Sequence, residues 1–152
     1  VGKGERIPTL SQVFDLVAST NIIINIELKG EGTPQAVADL IKDYVEHKGY
    51  SYTRFIVTSF NHYDLEAFRA VCPEVECGAI INGIPLGYAE FGERVHAAYI
   101  VVSVNCINQA LIDDAHKRGI KVLVYVVNED DDIERMKLLG VDGIVSDFPD
   151  RI

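Results

Sequence analysis

Apolar residues in this chain alternate between short continuous runs and helical spacing. Leu10, Val13, Phe14 and Val17 recur at helical spacing, and Thr9 with Gln12 predicts a capping box before them. Ile22 to Leu28 reads as a strand. Thr33 followed by Pro34 predicts an N-cap and an N1 proline. That helix runs to about Lys48, with Val37, Leu40, Ile41 and Tyr44 on one face and Gly49 as its stop. Phe55 to Ser59 is the second strand. Asn61 or His62 opens a helix carrying Leu65, Phe68 and Val71, ended by Pro73. Cys77 to Ile81 is the third strand. Asn82 to Gly92 holds three glycines and a proline and predicts a loop with at most a short helix. Tyr99 to Val104 is the fourth strand, and Asn108 caps a helix with Leu111, Ile112 and Ala115, closed by Gly119. Lys121 to Val127 is the fifth strand. Asn128 caps a helix with Ile133, Met136 and Leu139, closed by Gly140. Gly143 to Ser146 is the sixth strand, and Pro149 ends the pattern.

Strand–helix alternation without hairpin signals means a parallel sheet. From Phe55 onward the strands recur about every 22 residues. A leucine-rich repeat shares that period, but its consensus is absent. Neither G-x-G-x-x-G nor a P-loop occurs, which disfavours a doubly wound nucleotide fold. The even units fit a parallel (β/α) TIM-type barrel of the α/β class. A complete barrel has eight strands in about 250 residues. About six of eight units are present here, so the expectation is an incomplete barrel forming a single domain over residues 1–152. The first residue is Val1 and the sole methionine is Met136. We read the chain as a piece of something longer, with roughly the first two units missing.

Composition narrows the function. The 152 residues are 48% hydrophobic, enough for one core. A net charge of −9 argues against nucleic acid as a partner and against charge-driven docking to anionic membrane. No apolar run approaches the roughly 20 residues of a transmembrane segment. Cys72, Cys77 and Cys106 are odd in number and lack zinc-knuckle spacing. They read as reduced thiols, compatible with a cytoplasmic protein.

The chemistry concentrates in Asn25-Ile26-Glu27-Leu28-Lys29. A carboxylate and an ammonium stand at the C-terminal end of a buried strand, where parallel α/β folds bind ligands. Side chains alternate along a strand, so Glu27 and Lys29 point the same way. The pair reads either as half of a metal-and-anion site or as a strand-end salt bridge.

Four segments together resemble the glycerophosphodiester phosphodiesterase family. Ile7-Pro8-Thr9-Leu10 resembles its I-P-T-L helix start, and Asn25 to Lys29 its N-I-E-I-K strand. Thr58-Ser59-Phe60 resembles its T-S-F strand end. Near the C-terminus, Ala115-His116 with Gly119, Tyr125-Val126-Val127-Asn128, and Gly140 to Pro149 follow A-H-x-x-G, W-T-V-N and G-V-D-G-I-x-T-D-F-P. The resemblance implies hydrolysis of small-molecule glycerophosphodiesters to glycerol 3-phosphate and an alcohol. It implies one divalent cation, Mg²⁺ or Ca²⁺, held by three carboxylates, and a histidine pair as general acid and base. Glu27 matches one metal ligand, and Lys29 matches the lysine facing the phosphate.

The family's H-R-G and H-D motifs, and an E-x-D near the N-terminus, do not occur in this sequence. The chain taken alone is therefore expected to be inactive, with its metal site incomplete. Ser59, Phe60, Tyr125 and Asn128 are candidate substrate-binding residues. Each also has a plainer reading: strand end for Ser59, core or rim for Phe60, core for Tyr125 and helix cap for Asn128. Asp147 reads as a turn cap, and Glu129 to Asp132 as the negative first turn of a helix. His62 follows a strand and is a secondary candidate to face the pocket, whereas His116 reads as structural. A rival reading is a non-catalytic barrel remnant acting as a binding or assembly module. An aldolase or isomerase barrel would need a glycine-rich phosphate loop, which Asn128-Glu129-Asp130 is not. Six parallel strands leave two open edges, so a homo-oligomer or a missing N-terminal fragment is expected to cover them.

Overall fold

Six parallel strands, each followed by a helix or helical turn, form one sheet in the order β1-β2-β3-β4-β5-β6. The computed structural model describes Gly4 and residues 6–152. The strands are β1 (Ile24–Glu27), β2 (Phe55–Ser59), β3 (Glu76–Ile81), β4 (Tyr99–Ser103), β5 (Lys121–Tyr125) and β6 (Gly143–Ile144). The helices are α1 (Leu10–Leu16), α2 (Thr33–Lys48), α3 (His62–Val71), α4 (Glu90–Arg94), α5 (Gln109–Lys117) and α6 (Asp130–Leu139). The sheet curls into a half-barrel, and β1 and β6 are its unpaired edges. No helix among the described residues is long and apolar enough to cross a membrane.

Alternation along the strands separates two faces. Ile26, Val57, Cys77, Ala79, Ile100, Val102, Val122 and Val124 point outward and are buried in two contiguous apolar cores beneath the helices. The first core also holds Phe14 of α1, edge-on to Tyr44 of α2 with ring centroids 5.0 Å apart. The opposite phase, including Asn25, Glu27, Thr58, Ile80, Val101 and Tyr125, faces the barrel interior. Burial on both faces explains why these strands read as continuous apolar runs.

Several boundaries shift, each for a local reason. The β1 ladder begins at Ile24, opposite Phe55, so Ile22 and Ile23 lie outside it and are more than half exposed. Thr33 is not the N-cap of α2. Gly32 takes that place at φ 74°, a left-handed conformation that a threonine adopts at a cost, and the Thr33 hydroxyl donates to the Gly30 carbonyl at 2.9 Å. Glu129, not Asn128, precedes α6, and Asp130, Asp131 and Asp132 form its acidic first turn. β6 has two residues; beyond it the Val145 amide still donates to the Val124 carbonyl at 2.8 Å and its carbonyl accepts from the Val127 amide at 2.9 Å, after which the Asn128 side chain holds Ser146 and Asp147. The Thr9–Gln12 capping box and the Asn61 and Asn108 caps form as expected.

Candidate active site

The C-terminal ends of β1 and β2 shape the site. Glu27 pairs with Thr58 across the ladder, and the Leu28 amide extends it by donating to the Thr58 carbonyl at 2.8 Å. Lys29, two residues on and in the same phase, places Nζ 3.2 Å from Glu27 Oε2. The ion pair read from the sequence therefore forms. It does not satisfy the carboxylate, because Glu27 Oε1 is buried with no hydrogen-bond partner. Thr58 Oγ1, directly opposite, is buried and unpartnered too. Buried polar atoms without partners are costly, and these two lie side by side on the interior face.

A cleft of about 470 Å³ opens over this point, with Glu27, Lys29, Glu31, Phe60, Asn61 and Asp64 in its walls. A cavity of about 160 Å³ reaches from Glu27 and Thr58 into the interior, where Ile80 and Tyr125 line it. Phe60 belongs to both walls and meets Tyr125 edge-on at 5.9 Å between centroids. The Tyr125 hydroxyl donates to the Ile81 carbonyl at 3.0 Å. Burial, with Cys106 and Glu27 adding to it, pushes the Tyr125 phenol above its ordinary pKa. Tyr125 thus stands as a neutral wall braced across the barrel.

Ser59 borders the cleft but is buried in the outward phase. Its hydroxyl donates to the Leu28 carbonyl at 3.4 Å and accepts from the Asn61 amide at 3.0 Å. It ties β1 to the start of α3. Thr58 is the inward residue of that motif, and sequence reasoning passed over it. The alternation Phe55, Val57, Ser59 was the signal that would have found it.

Asn128 is not among the residues lining the cleft. Its side-chain amide donates to Asp147 Oδ2 at 2.9 Å, and its carbonyl oxygen accepts from the Ser146 hydroxyl at 3.2 Å and the Asp147 amide at 3.0 Å. Asn128 thereby fastens the β5–α6 loop to the segment after β6, and Asp147 answers it instead of capping a turn. His62 stacks on Phe91 at 5.5 Å, and its Nε2 lies 3.1 Å from the Ile80 carbonyl oxygen. His116 bonds Asp142 at 2.9 Å on the helix side, the structural role expected of it.

Glu27 Oε1 suits a hard divalent cation, which prefers carboxylate oxygen. Among the described residues, however, no group of three or more His, Cys, Asp or Glu side chains lies together. One carboxylate alone does not make a cation site.

The sequence profile described as the glycerophosphoryl diester phosphodiesterase family matches residues 2–151. A glycerophosphodiester phosphodiesterase of Caldanaerobacter subterraneus is 30% identical over 98% of this chain and 61% of its own length. The chain therefore spans about three-fifths of the length of that relative. The crystal structure of a glycerophosphodiester phosphodiesterase from Parabacteroides distasonis is 25% identical, with TM-score 0.79 over 97% of this chain and 63% of that one. An Oleispira antarctica phosphodiesterase, solved with the product sn-glycerol-3-phosphate, shares the fold at TM-score 0.84 and 23% identity, over 95% of this chain and 59% of that one.

Proposed function

Since the chain belongs to the glycerophosphoryl diester phosphodiesterase family, we propose that the whole protein hydrolyses small glycerophosphodiesters to glycerol 3-phosphate and an alcohol. The observation that carries this reading is the buried, unpartnered Glu27 Oε1 beside the Glu27–Lys29 pair, at the strand ends where barrel enzymes work.

In this reading Glu27 is one carboxylate ligand of a divalent cation, Mg²⁺ or Ca²⁺. Such an ion, when bound, offsets phosphate charge. Lys29 leaves its partner to meet a phosphodiester oxygen. An anionic diester resists attack until its charge is offset, and a preorganised cation at the site lowers that barrier. Phe60 and Tyr125 form the wall that keeps bulk water from the phosphate. Ser59 holds the end of β1 and so positions both Glu27 and Lys29. Asn128 sets the far rim through Asp147.

Six strands do not complete an eight-stranded barrel. The reading therefore places the remaining carboxylates and the acid–base pair on barrel units beyond these six, and expects no turnover from the 152-residue chain alone. The test is release of glycerol 3-phosphate from glycerophosphocholine by the whole barrel, with and without Mg²⁺ or Ca²⁺, against Glu27→Gln. Equal turnover of the two proteins removes Glu27 from the machinery. Absence of turnover from the whole barrel favours the non-catalytic module.

A further inference from the structure

Phe60 separates the Glu27–Lys29 cleft from a second recess. Beyond Phe60 the lining loses its charged side chains. A groove of about 510 Å³ runs along the end of β3 and the loop after it, walled by Phe60, Ile80, Ile81, Ile84, Pro85 and Phe91. His62 is its one titratable lining residue, and its ring is already stacked on Phe91 and engaged with the Ile80 carbonyl. No lysine, arginine or carboxylate borders it. The cleft on the other side of Phe60 is bordered by four charged residues, Glu27, Lys29, Glu31 and Asp64. In a chain that is 24% charged, this separation is a property of the site.

The groove is also exposed to solvent. Ile84 is 49% exposed and Phe60 53%. Contiguous apolar surface of this kind at a pocket mouth marks a binding region. Its floor is fixed. Ile80 and Ile81 are strand residues, and the His62–Ile80 and Tyr125–Ile81 hydrogen bonds engage their carbonyls.

We infer that this groove seats an apolar arm of the diester, the hydrocarbon of the alcohol esterified opposite glycerol. This rests on the proposed placement of phosphate at Lys29. With phosphate there, one ester arm lies over Glu31, Asn61 and Asp64, which suit the hydroxyls of glycerol. The other crosses Phe60 into a channel without charged side chains, whose hydrogen-bonding side chains are Asn82 and the engaged His62. Each methylene moved from water to such a surface favours binding. The preferred substrates are then glycerol phosphate esters of medium-length alkyl alcohols over those of small polar alcohols.

The experiment measures affinity of the 152-residue chain by titration calorimetry for the methyl and the n-octyl esters of glycerol 3-phosphate, below micellar concentration. Amide shift changes in ¹⁵N-labelled protein locate the chain. The octyl ester is expected to bind at least about tenfold more tightly than the methyl ester, with shifts concentrated in residues 80–91. Ile84→Ser lowers that preference, and Leu86→Ser, fully exposed and outside the groove lining, leaves it unchanged. Equal affinities, or no binding of the octyl ester, overturn the inference. A third probe, a lysophospholipid with its chain on glycerol, separates the two arms, and tighter binding of it than of the octyl ester overturns the assignment to the alcohol arm. Lys29→Met weakens both esters by the same factor if phosphate lies at Lys29. An unchanged affinity there sinks the phosphate placement, whereas the chain-length preference reports on the groove alone.

Discussion

Glu27 and Thr58 stand opposite each other across the β1–β2 ladder, and each keeps one buried oxygen without a hydrogen-bond partner. In a purely structural strand end such atoms find partners. Glu27→Gln in the metal-free chain should therefore leave stability within about 1 kcal/mol of the parent, since the exposed Lys29 partner contributes little. Urea unfolding measures this. A loss above about 2 kcal/mol would show that the carboxylate serves as a structural partner.

Lys29→Met in the whole barrel should lower kcat/KM for glycerophosphocholine at least tenfold, about 1.4 kcal/mol of transition-state stabilisation. Steady-state kinetics with the cation saturating checks it. Normal kinetics would leave Lys29 as a salt-bridge partner only.

Gly78 lies next to Thr58 on the inner face, and a methyl group there would stand 2.9 Å from Thr58 Cγ2 and 3.3 Å from Tyr99 Cβ. Gly78→Ala should destabilise by about 1–3 kcal/mol, because two strands must move apart to admit it. Thermal unfolding that matches the parent would mean that the inner layer is looser than its packing indicates.

Asp142 gives a pH dependence with a definite sign. Burial acts to raise its pKa, but the Val122 amide at 2.7 Å and His116 at 2.9 Å, with Lys121, outweigh burial and leave it lowered. A carboxyl depressed in the folded state stabilises above its unfolded pKa, and that contribution fades as pH falls through the folded value. Stability of the parent should thus fall below about pH 4. Asp142→Asn should be less stable at pH 7 and flatter across the acid range, as urea midpoints at pH 2.5 to 7 would reveal. Parallel curves would refute the coupling.

The edges β1 and β6 leave backbone groups unpaired. Beside β1, the exposed Ile22 and Ile23 add apolar surface. The isolated chain should therefore self-associate or co-purify with a covering segment. Light scattering across a concentration series tests this, and a monodisperse monomer at every concentration would contradict it.

Most of the architecture was legible because each unit carries its own punctuation. Asn61 and Asn108 stand before helical spacing, and Gly49 and Gly140 close helices in the left-handed conformation. Asn128 misled because Asn-Glu-Asp-Asp-Asp offers several cap-competent residues in a row, and the choice among them depends on Ser146 and Asp147, far along the chain. The partners of His62 were invisible for the same reason, since Ile80 and Phe91 reach it only through the fold. The Glu27–Lys29 pair, by contrast, is local. A period of two was enough to place both on one face.

The two faces of β1 and β2 are written on the same few residues in opposite phase. Substitution can alter one message and spare the other, but a shift of frame cannot. One residue inserted between Ile24 and Glu27 would turn Ile26 and Leu28 into the interior and Glu27 toward the helices, exchanging oil for charge on both sides at once. Length variation in relatives of this chain is therefore expected to collect in the connections, such as the stretch from Asn82 to Tyr88, while the strands vary in letters and keep their count.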